Sequence, residues 1–388
     1  MKKNKLLTFL LAASMVFGLT ACGAKDDSSS SGSSSSSETS SSETSAPESK
    51  PDEDSSEIKS TGPNGEKATL ATTLKLTDEE IAKLKEGKYK AAISFHYGGN
   101  DWSASQLQGL KDTFEKFGIE VVTTTDANFS AEQQVADIET IMALKPDVLV
   151  SIPTDATSTA DAYKRAADAG IKIVFMDNVA AGFTAGKEYV SCVSADNYGN
   201  GIIAADLIGE ELGGKGKIGV IFYDTDFFVT NQRLEAFEKQ MAEKYPDIEI
   251  VSKMGFQNTN DCSTVADAMM TQNPDIDAIF AHWDIPAEGV LSSLRAGGFN
   301  DVKVSTIDLG NNIAKEIAEG NVLGLGAQLP YDQGVAEATL AAYALLGKEA
   351  PAYVAVPAKR VDQENILEAY KDVYHVDAPD WLVEATNK

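Results

Sequence analysis

Polar and aromatic side chains recur in this sequence directly after apolar, strand-like runs. The stretch Ser94–Phe114 carries Tyr97, Asn100 and Trp102 between such a run and a helical pattern. A connection of this kind needs only about 2–6 residues and no aromatic ring. Later runs are followed by residues of the same chemical kinds: Asp177, Asn178, Asn231, Gln257, Trp283, Asp284, Asp308 and Gln328. Rings cover apolar C–H faces, and carboxylates and amides exchange hydrogen bonds with hydroxyl groups, so the set suits a small polyhydroxylated ligand.

Each of these residues taken singly also has a structural explanation. Asp and Asn after a strand commonly cap helices or form turns, and rings commonly pack in a core. The carboxyl ends of parallel strands, however, meet at one edge of a sheet, which is where open α/β sheets bind ligands. We therefore expect one crevice, with Tyr97 and Trp102 on one wall and Trp283 facing them.

The elements that must position these residues follow an alternating pattern. Runs such as KAAISF (90–95) and DVLVSIP (147–153) predict buried strands, and 103–117 and 131–144 have helical periodicity. The alternation restarts after Asp196, which predicts an α/β protein with two similar doubly wound, parallel-sheet lobes. Thr77 and Glu80 predict a capping box on a short helix before the first strand. After a helix over 331–346, residues 353–361 predict one more strand, so the chain should cross between lobes more than once.

Several other classes of function are disfavoured. Gly214–Gly219 matches G-x-G-x-x-G but lies before a strand, the reverse of the dinucleotide-binding order. The three histidines have no partner at metal-ligand spacing, and no cofactor is expected. A net charge of −26 without a basic cluster argues against nucleic acid. Cys192 and Cys262 are expected to be two small buried residues.

The N-terminus has the layout of a secretion signal. Three lysines precede an apolar run that is too short to span a membrane. Residues 19–22, LTAC, resemble the bacterial lipoprotein signal, which implies residues 1–22 as signal peptide and lipobox, with Cys22 as the lipidated first residue of the mature protein. Residues 23–76 are rich in Ser and acidic residues and are expected to form a disordered tether. This combination suggests a protein lipid-anchored outside the cytoplasm, on a Gram-positive surface.

Longer phrases of the body resemble the ribose/galactose-type solute-binding proteins of ABC importers. The resemblance covers about Lys88 to Val361, and the phrases that carry it are SIPTDATSTADAYKRAADAGIKIVFMDN (151–178), VSADNYGNGIIAADLI (193–208), NPDIDAIFAHWD (273–284) and GLGAQLPYDQG (324–334). It implies the periplasmic binding protein-like I fold, with a three-strand hinge that closes on the ligand. The implied lobes are 77–195 with 329–355, and 196–328 with 356–388. The implied partners are an ABC permease and ATPase, and the protein is expected to be a monomer.

The resemblance implies ligand-binding roles for some of these residues, and at other positions the sequence departs from the family. Asp177 and Asp308 match aspartates that hold sugar hydroxyls, and Gln328 matches the hinge glutamine. Asn100 and Trp102 fall where the family places an asparagine and a stacking aromatic. The sequence departs from the ribose type at Ile152, Asn178, Asn231, Trp283 and Ile307. These departures imply fewer cations in the pocket and a ligand such as a deoxy sugar, a polyol or a glycoside.

Other functions remain as alternatives. A sensor that presents its ligand to a membrane receptor or kinase would use the same closed form, and the same fold could bind a nucleoside. A sugar-responsive repressor would need a basic helix-turn-helix where this chain has an acidic serine tract. A glycosidase would need a carboxylate pair such as Asp177 and Asp308, but the resemblance argues against an enzyme.

Overall fold

Residues 57–387 are described by a computed structural model and contain two sheets. The strands in chain order are β1 (Thr69–Leu70), β2 (Lys90–Phe95), β3 (Glu120–Asp126), β4 (Val148–Ser151), β5 (Lys172–Met176), β6 (Ser191–Ala195), β7 (Lys215–Tyr223), β8 (Asp247–Phe256), β9 (Ala278–Ala281), β10 (Lys303–Ile307), β11 (Gly324–Ala327), β12 (Tyr353–Val356) and β13 (Lys359–Asp362). The first sheet has the order β1-β12-β6-β5-β4-β2-β3, and the second β13-β11-β10-β9-β7-β8. All neighbouring strands are parallel except β11 and β13.

Helices connect the parallel strands of each sheet. They are α1 (Asp78–Gly87), α2 (Asp101–Phe117), α3 (Ala131–Leu144), α4 (Ala160–Asp168), α5 (Asn197–Glu211), α6 (Phe228–Lys244), α7 (Cys262–Gln272), α8 (Asp284–Gly297), α9 (Asn311–Ala318), α10 (Pro330–Leu346), α11 (Ile366–Tyr374) and α12 (Asp380–Ala385). Strands β4, β5 and β9 are almost wholly buried because helices cover both faces of their sheets. The two-lobe α/β class predicted from the alternating pattern is therefore confirmed.

The described chain passes between the lobes at three points: after β6, after β11 and after β12. The last crossing corrects the single strand predicted over 353–361, because β12 belongs to the first sheet and β13 to the second. Pro357 and Ala358 separate them, and proline has no N–H to donate to a strand ladder. The strand pattern therefore breaks where the chain changes lobes.

Residues 57–70, here called the N-terminal strap, correct the predicted extent of the tether. The backbone N–H groups of Lys59 and Ser60 each donate to the Asp196 carboxylate at 2.8 Å, and the Ser60 hydroxyl does the same. The segment ends in β1, which pairs with β12 at the edge of the first sheet. Composition predicted disorder through residue 76 because these long-range partners cannot be seen in the local sequence. The signal peptide, Cys22 and the tether up to residue 56 lie outside the described residues.

Two further expectations from the sequence are confirmed. Thr77 accepts from the Glu80 backbone N–H at 3.2 Å, and Glu80 accepts from the Thr77 N–H at 2.8 Å, which makes the capping box. Cys192 and Cys262 are buried and unpaired. In the part of the chain from 57 to 387, no helix is long and apolar enough to cross a membrane.

Helices α2 and α10 approach closely through two glycines. A Cβ on Gly334 would lie 2.3 Å from the Gln106 carbonyl oxygen, and one on Gly109 would lie 2.2 Å from the Tyr331 carbonyl oxygen. We expect Gly334→Ala to lower the free energy of unfolding by about 1–3 kcal/mol, because the backbones must separate. Urea denaturation would measure this, with exposed Gln108→Ala as the control. An alanine variant as stable as the wild type would contradict the close approach.

Candidate functional site

A cavity lies between the lobes, at the carboxyl ends of both sheets. The volume within it that the centre of a water molecule can occupy is about 70 Å³. This corresponds to about five waters and suits one small molecule. The residues that line it come from both lobes: His96, Tyr97, Asn100, Trp102, Phe129, Ile152, Asp177, Tyr223, Phe227, Val229, Thr230, Arg233, Trp283, Asp308 and Gln328. Aromatic rings occupy much of this surface, and the charged residues form one polar end.

The polar end is held by a continuous chain of hydrogen bonds. The Ser194 hydroxyl donates to Asp177 Oδ1 at 2.6 Å and accepts from Asn197 Nδ2 at 2.9 Å. Asn197 Oδ1 accepts from Arg233 Nε at 2.7 Å. Ser194 and Asn197 flank the first crossing, so this chain joins Asp177 of the first lobe to Arg233 of the second.

The same chain of hydrogen bonds continues from Arg233 to the second crossing. Arg233 Nη1 lies 3.4 Å from Asp308 Oδ2, and Gln328 Nε2 donates to Asp308 Oδ1 at 2.7 Å. No described side chain donates to Asp177 Oδ2, and Gln328 Oε1 is buried without a partner. The polar end therefore leaves two acceptors for hydroxyl groups of a bound molecule.

Asp177 and Asp308 occupy equivalent places, directly after β5 and β10. Both have left-handed backbone angles, with φ of 53° and 69°. This region is uncommon for residues other than glycine, although aspartate tolerates it better than most. Backbone strain of this kind is typical of functional sites, and here it occurs at both aspartates that line the cavity.

Burial sets the charge state of the polar end. It raises the pKa of Asp177 to about 6, and the Ser194 hydrogen bond and the Arg233 charge oppose that rise. The pKa of Asp308 is raised by burial and held down by Arg233 and Gln328. Asp177 is therefore mostly ionised at neutral pH, and the Arg233 guanidinium lies beside Asp308 at the same end of the cavity.

The first lobe supplies one aromatic wall. Tyr97 stacks on Phe129, with ring centroids 4.5 Å apart and planes at 15°. Trp102 meets His96 edge-on, and its Nε1 is buried without a partner. Burial lowers the pKa of His96 to about 3, so this ring is neutral. The wall thus offers apolar faces, the unpartnered Trp102 N–H and the unpartnered Nδ1 of His96.

The second lobe supplies the facing wall. Trp283 meets Tyr223 edge-on with centroids 5.5 Å apart, and both rings pack against Phe256. Phe227 stacks on His96 of the first lobe, with centroids 5.4 Å apart. The lobes therefore contact each other through rings as well as through the polar end.

The structure brings seven of the predicted residues to the cavity and leaves four away from it. Those that line it are Tyr97, Asn100, Trp102, Asp177, Trp283, Asp308 and Gln328. Asn178 and Asp284 are buried outside the lining. Exposed Asn231 and Gln257 bond to Asp226 and to the Asp224 carbonyl. Asn178 and Gln257 directly follow strands as predicted, whereas Asp284 begins α8 and Asn231 lies within α6.

Arg233 was missed as a site residue, and it corrects the expectation drawn from Asn231. That expectation counted a cation as lost, whereas Arg233, two residues further along α6, enters the cavity with Thr230. Thr230 and Arg233 are separated by three residues and share one helix face. Helical periodicity places Arg233 on the same face as Thr230, and the packing of α6 turns that face towards the cavity. Among residues 57–387, no cluster of three His, Cys, Asp or Glu side chains could hold a metal ion.

Comparisons with known proteins agree with this two-lobe fold. The family profile described as periplasmic binding protein domain matches residues 91–349. The chain is 26% identical over 294 residues to the ribose import binding protein of Salmonella typhimurium, covering 76% of this chain and 97% of the relative. A solute-binding protein structure from Actinobacillus succinogenes with bound D-allose has a TM-score of 0.65 and 26% identity, covering 72% and 99%. One from Agrobacterium vitis, bound with α-D-tagatopyranose, has a TM-score of 0.69 and 23% identity, covering 75% and 100%.

Proposed function

The chain belongs to the periplasmic binding protein domain family, and from this premise we propose that its cleft captures a small polyhydroxylated solute for delivery to an ABC importer. It is a solute-binding protein and not an enzyme. The solute we propose is a sugar, a deoxy sugar or a polyol. The ribose import protein and the D-allose complex, which resemble this chain, support that class.

The observation that carries the proposal is the polar end of the cleft. Among the described residues, Asp177 Oδ2 and Gln328 Oε1 accept no hydrogen bond, and Arg233 Nη2 donates none. Hydroxyl groups both donate and accept hydrogen bonds, so a small molecule with several hydroxyl groups could pair with these two acceptors and this donor. The rings of the two walls then cover the C–H faces of the solute.

The cellular setting is part of the same proposal. Cys22 would carry the lipid as the first residue left after removal of residues 1–21, and the protein would act as a monomer on a Gram-positive surface. Its partners would be the permease and ATPase subunits of an importer. The lipoprotein signal in the sequence supports the anchor.

A thermal-shift screen of the purified protein tests the solute class. The panel would contain pentoses, hexoses, deoxy sugars, polyols, nucleosides and amino acids. A solute at 100 times its Kd stabilises the protein by about 2.7 kcal/mol. A sugar or polyol that raises the Tm supports the proposal, whereas a response confined to nucleosides or amino acids would overturn the sugar assignment.

Solute affinity and empty-protein stability are expected to respond to pH in opposite directions. At pH 5, Asp177, with a pKa of about 6, is mostly protonated, so the Kd should rise about tenfold from its value at pH 7.5. In the unfolded chain the pKa of Asp177 returns to 3.8. Between pH 3.8 and about pH 6 the native state therefore binds more protons at Asp177 than the unfolded state does. The free energy of unfolding should therefore increase as the pH falls from 7 towards 5. Calorimetric titration and Tm measurements at pH 5, 6 and 7.5 would check both, and equal Kd values at pH 5 and 7.5 would contradict the role of Asp177.

A further inference from the structure

A helix of the second lobe is capped by a side chain of the first. Helix α9 begins at Asn311 and is preceded by Gly310, which has no side chain to cap it. Asp101, at the start of α2, accepts from the Asn311 backbone N–H at 2.8 Å and from Asn311 Nδ2 at 3.0 Å. The carboxylate thus meets the N-terminus of α9, where unpaired N–H groups and the helix dipole favour a negative charge.

This contact lies at the rim of the cleft and not in its lining. Asn100 and Trp102, on either side of Asp101, line the cavity, and so does Asp308, three residues before Asn311. Asp101 and Asn311 do not line it themselves. Opening the hinge moves these two rims apart, so the contact reports on the distance between the lobes.

The second lobe holds Asn311 ready for this contact. The Tyr370 hydroxyl, on α11, donates to Asn311 Oδ1 at 2.9 Å, which turns the amide nitrogen of Asn311 towards Asp101. The three groups form a donor–acceptor sequence from Tyr370 through Asn311 to Asp101. Of these bonds, the two from Asn311 to Asp101 cross between the lobes, and the one from Tyr370 lies within the second lobe.

We propose that Asp101 is a closure latch, a positioning residue that stabilises the closed cleft without touching the solute. The proposal rests on the solute-binding role proposed above. When the lobes separate, α9 loses its cap and Asp101 returns to water, so the pair favours the closed form alone. A residue that favours only the closed form raises affinity and slows dissociation.

Replacing Asp101 by alanine tests the latch by two measurements. The first is the interlobe distance, obtained by spin labels on Glu132→Cys and Asn260→Cys, exposed positions in the segments that follow the carboxyl ends of β3 and β8. The native Cys192 and Cys262 are buried and should not be labelled. The second is the Kd for D-allose. We expect a larger fraction of long distances and a Kd about 5- to 10-fold higher, mainly through faster dissociation.

Glu115→Ala is the matched control, because Glu115 is an exposed acidic residue that also lies on α2, and its side chain makes no hydrogen bond to the second lobe among the described residues. It should leave both measurements unchanged, and Asn311→Ala should add little to Asp101→Ala. An unchanged distance distribution in Asp101→Ala, with and without D-allose, would overturn the latch. If the wild type does not bind D-allose, that solute is excluded, and the distances of the empty protein decide the latch.

Discussion

Replacing Arg233 by methionine is expected to abolish solute binding and to lower the free energy of unfolding by about 3 kcal/mol, the usual cost of removing one partner of a buried ion pair. Arg233 is only 4% exposed and lies between Asn197, the His282 carbonyl and Asp308. Methionine keeps the unbranched stem as far as the position of Nε and removes every donor. The Asp308 carboxylate would lose its cation, and the hydrogen-bond chain between the two crossings would be interrupted.

A second substitution separates stability from binding in this variant. Adding Asp308→Asn removes the unpaired carboxylate, so the double variant should recover at least half of the lost stability and none of the affinity. Urea denaturation and calorimetric titration with a solute found in the screen would measure the two quantities. An Arg233→Met variant with wild-type affinity would exclude Arg233 from the site.

Replacing Asp177 by asparagine is expected to raise the solute Kd about 100-fold, because the free carboxylate oxygen Oδ2, which would accept a charge-assisted hydrogen bond from a solute hydroxyl, is lost. The same change should increase the free energy of unfolding of the empty protein by about 1–2 kcal/mol at pH 7.5. Burial disfavours the charged form of Asp177 and raises its pKa to about 6, and the neutral amide avoids that cost. Ser194 can still donate to the amide oxygen, so the local geometry is retained.

The opposite signs of the two effects make this variant informative. A loss of affinity together with a loss of stability would indicate a structural role for Asp177. Unchanged affinity would contradict the assignment of its carboxylate to the solute. The pH dependence of binding should also disappear in Asp177→Asn, which calorimetric titration at pH 5 and 7.5 would show.

Local signals in the sequence predicted the elements well where they were strong. The predicted strand 90–95 and helix 131–144 are confirmed as β2 and α3 with the same bounds. Both combine a clear apolar period with a defined start or end, such as Ser130, which caps α3 through Gln133. The apolar pattern alone did not show the crossing at Pro357, because whether a strand continues depends on which sheet its edge meets. The family resemblance implied it by dividing the lobes between residues 355 and 356.

The site was only partly predictable for a related reason. Strand ends indicated Asp177, Asp308 and Gln328, since the carboxyl edge of a parallel sheet collects such residues. Arg233 lies inside a helix, where its inward direction depends on how α6 packs. The contact between Asp101 and Asn311 joins residues 210 positions apart, and no local pattern encodes it.

The N-terminal strap has a mechanical consequence. Its bonds to Asp196 place the incoming chain between the first and third crossings, since the Asp196 N–H itself donates to the Val356 carbonyl at 2.8 Å. A force applied along the chain at residue 57 would therefore act close to the axis of hinge bending. With so short a lever arm it would exert little torque on either lobe. The protein could be pulled from its N-terminal side without being forced open or shut.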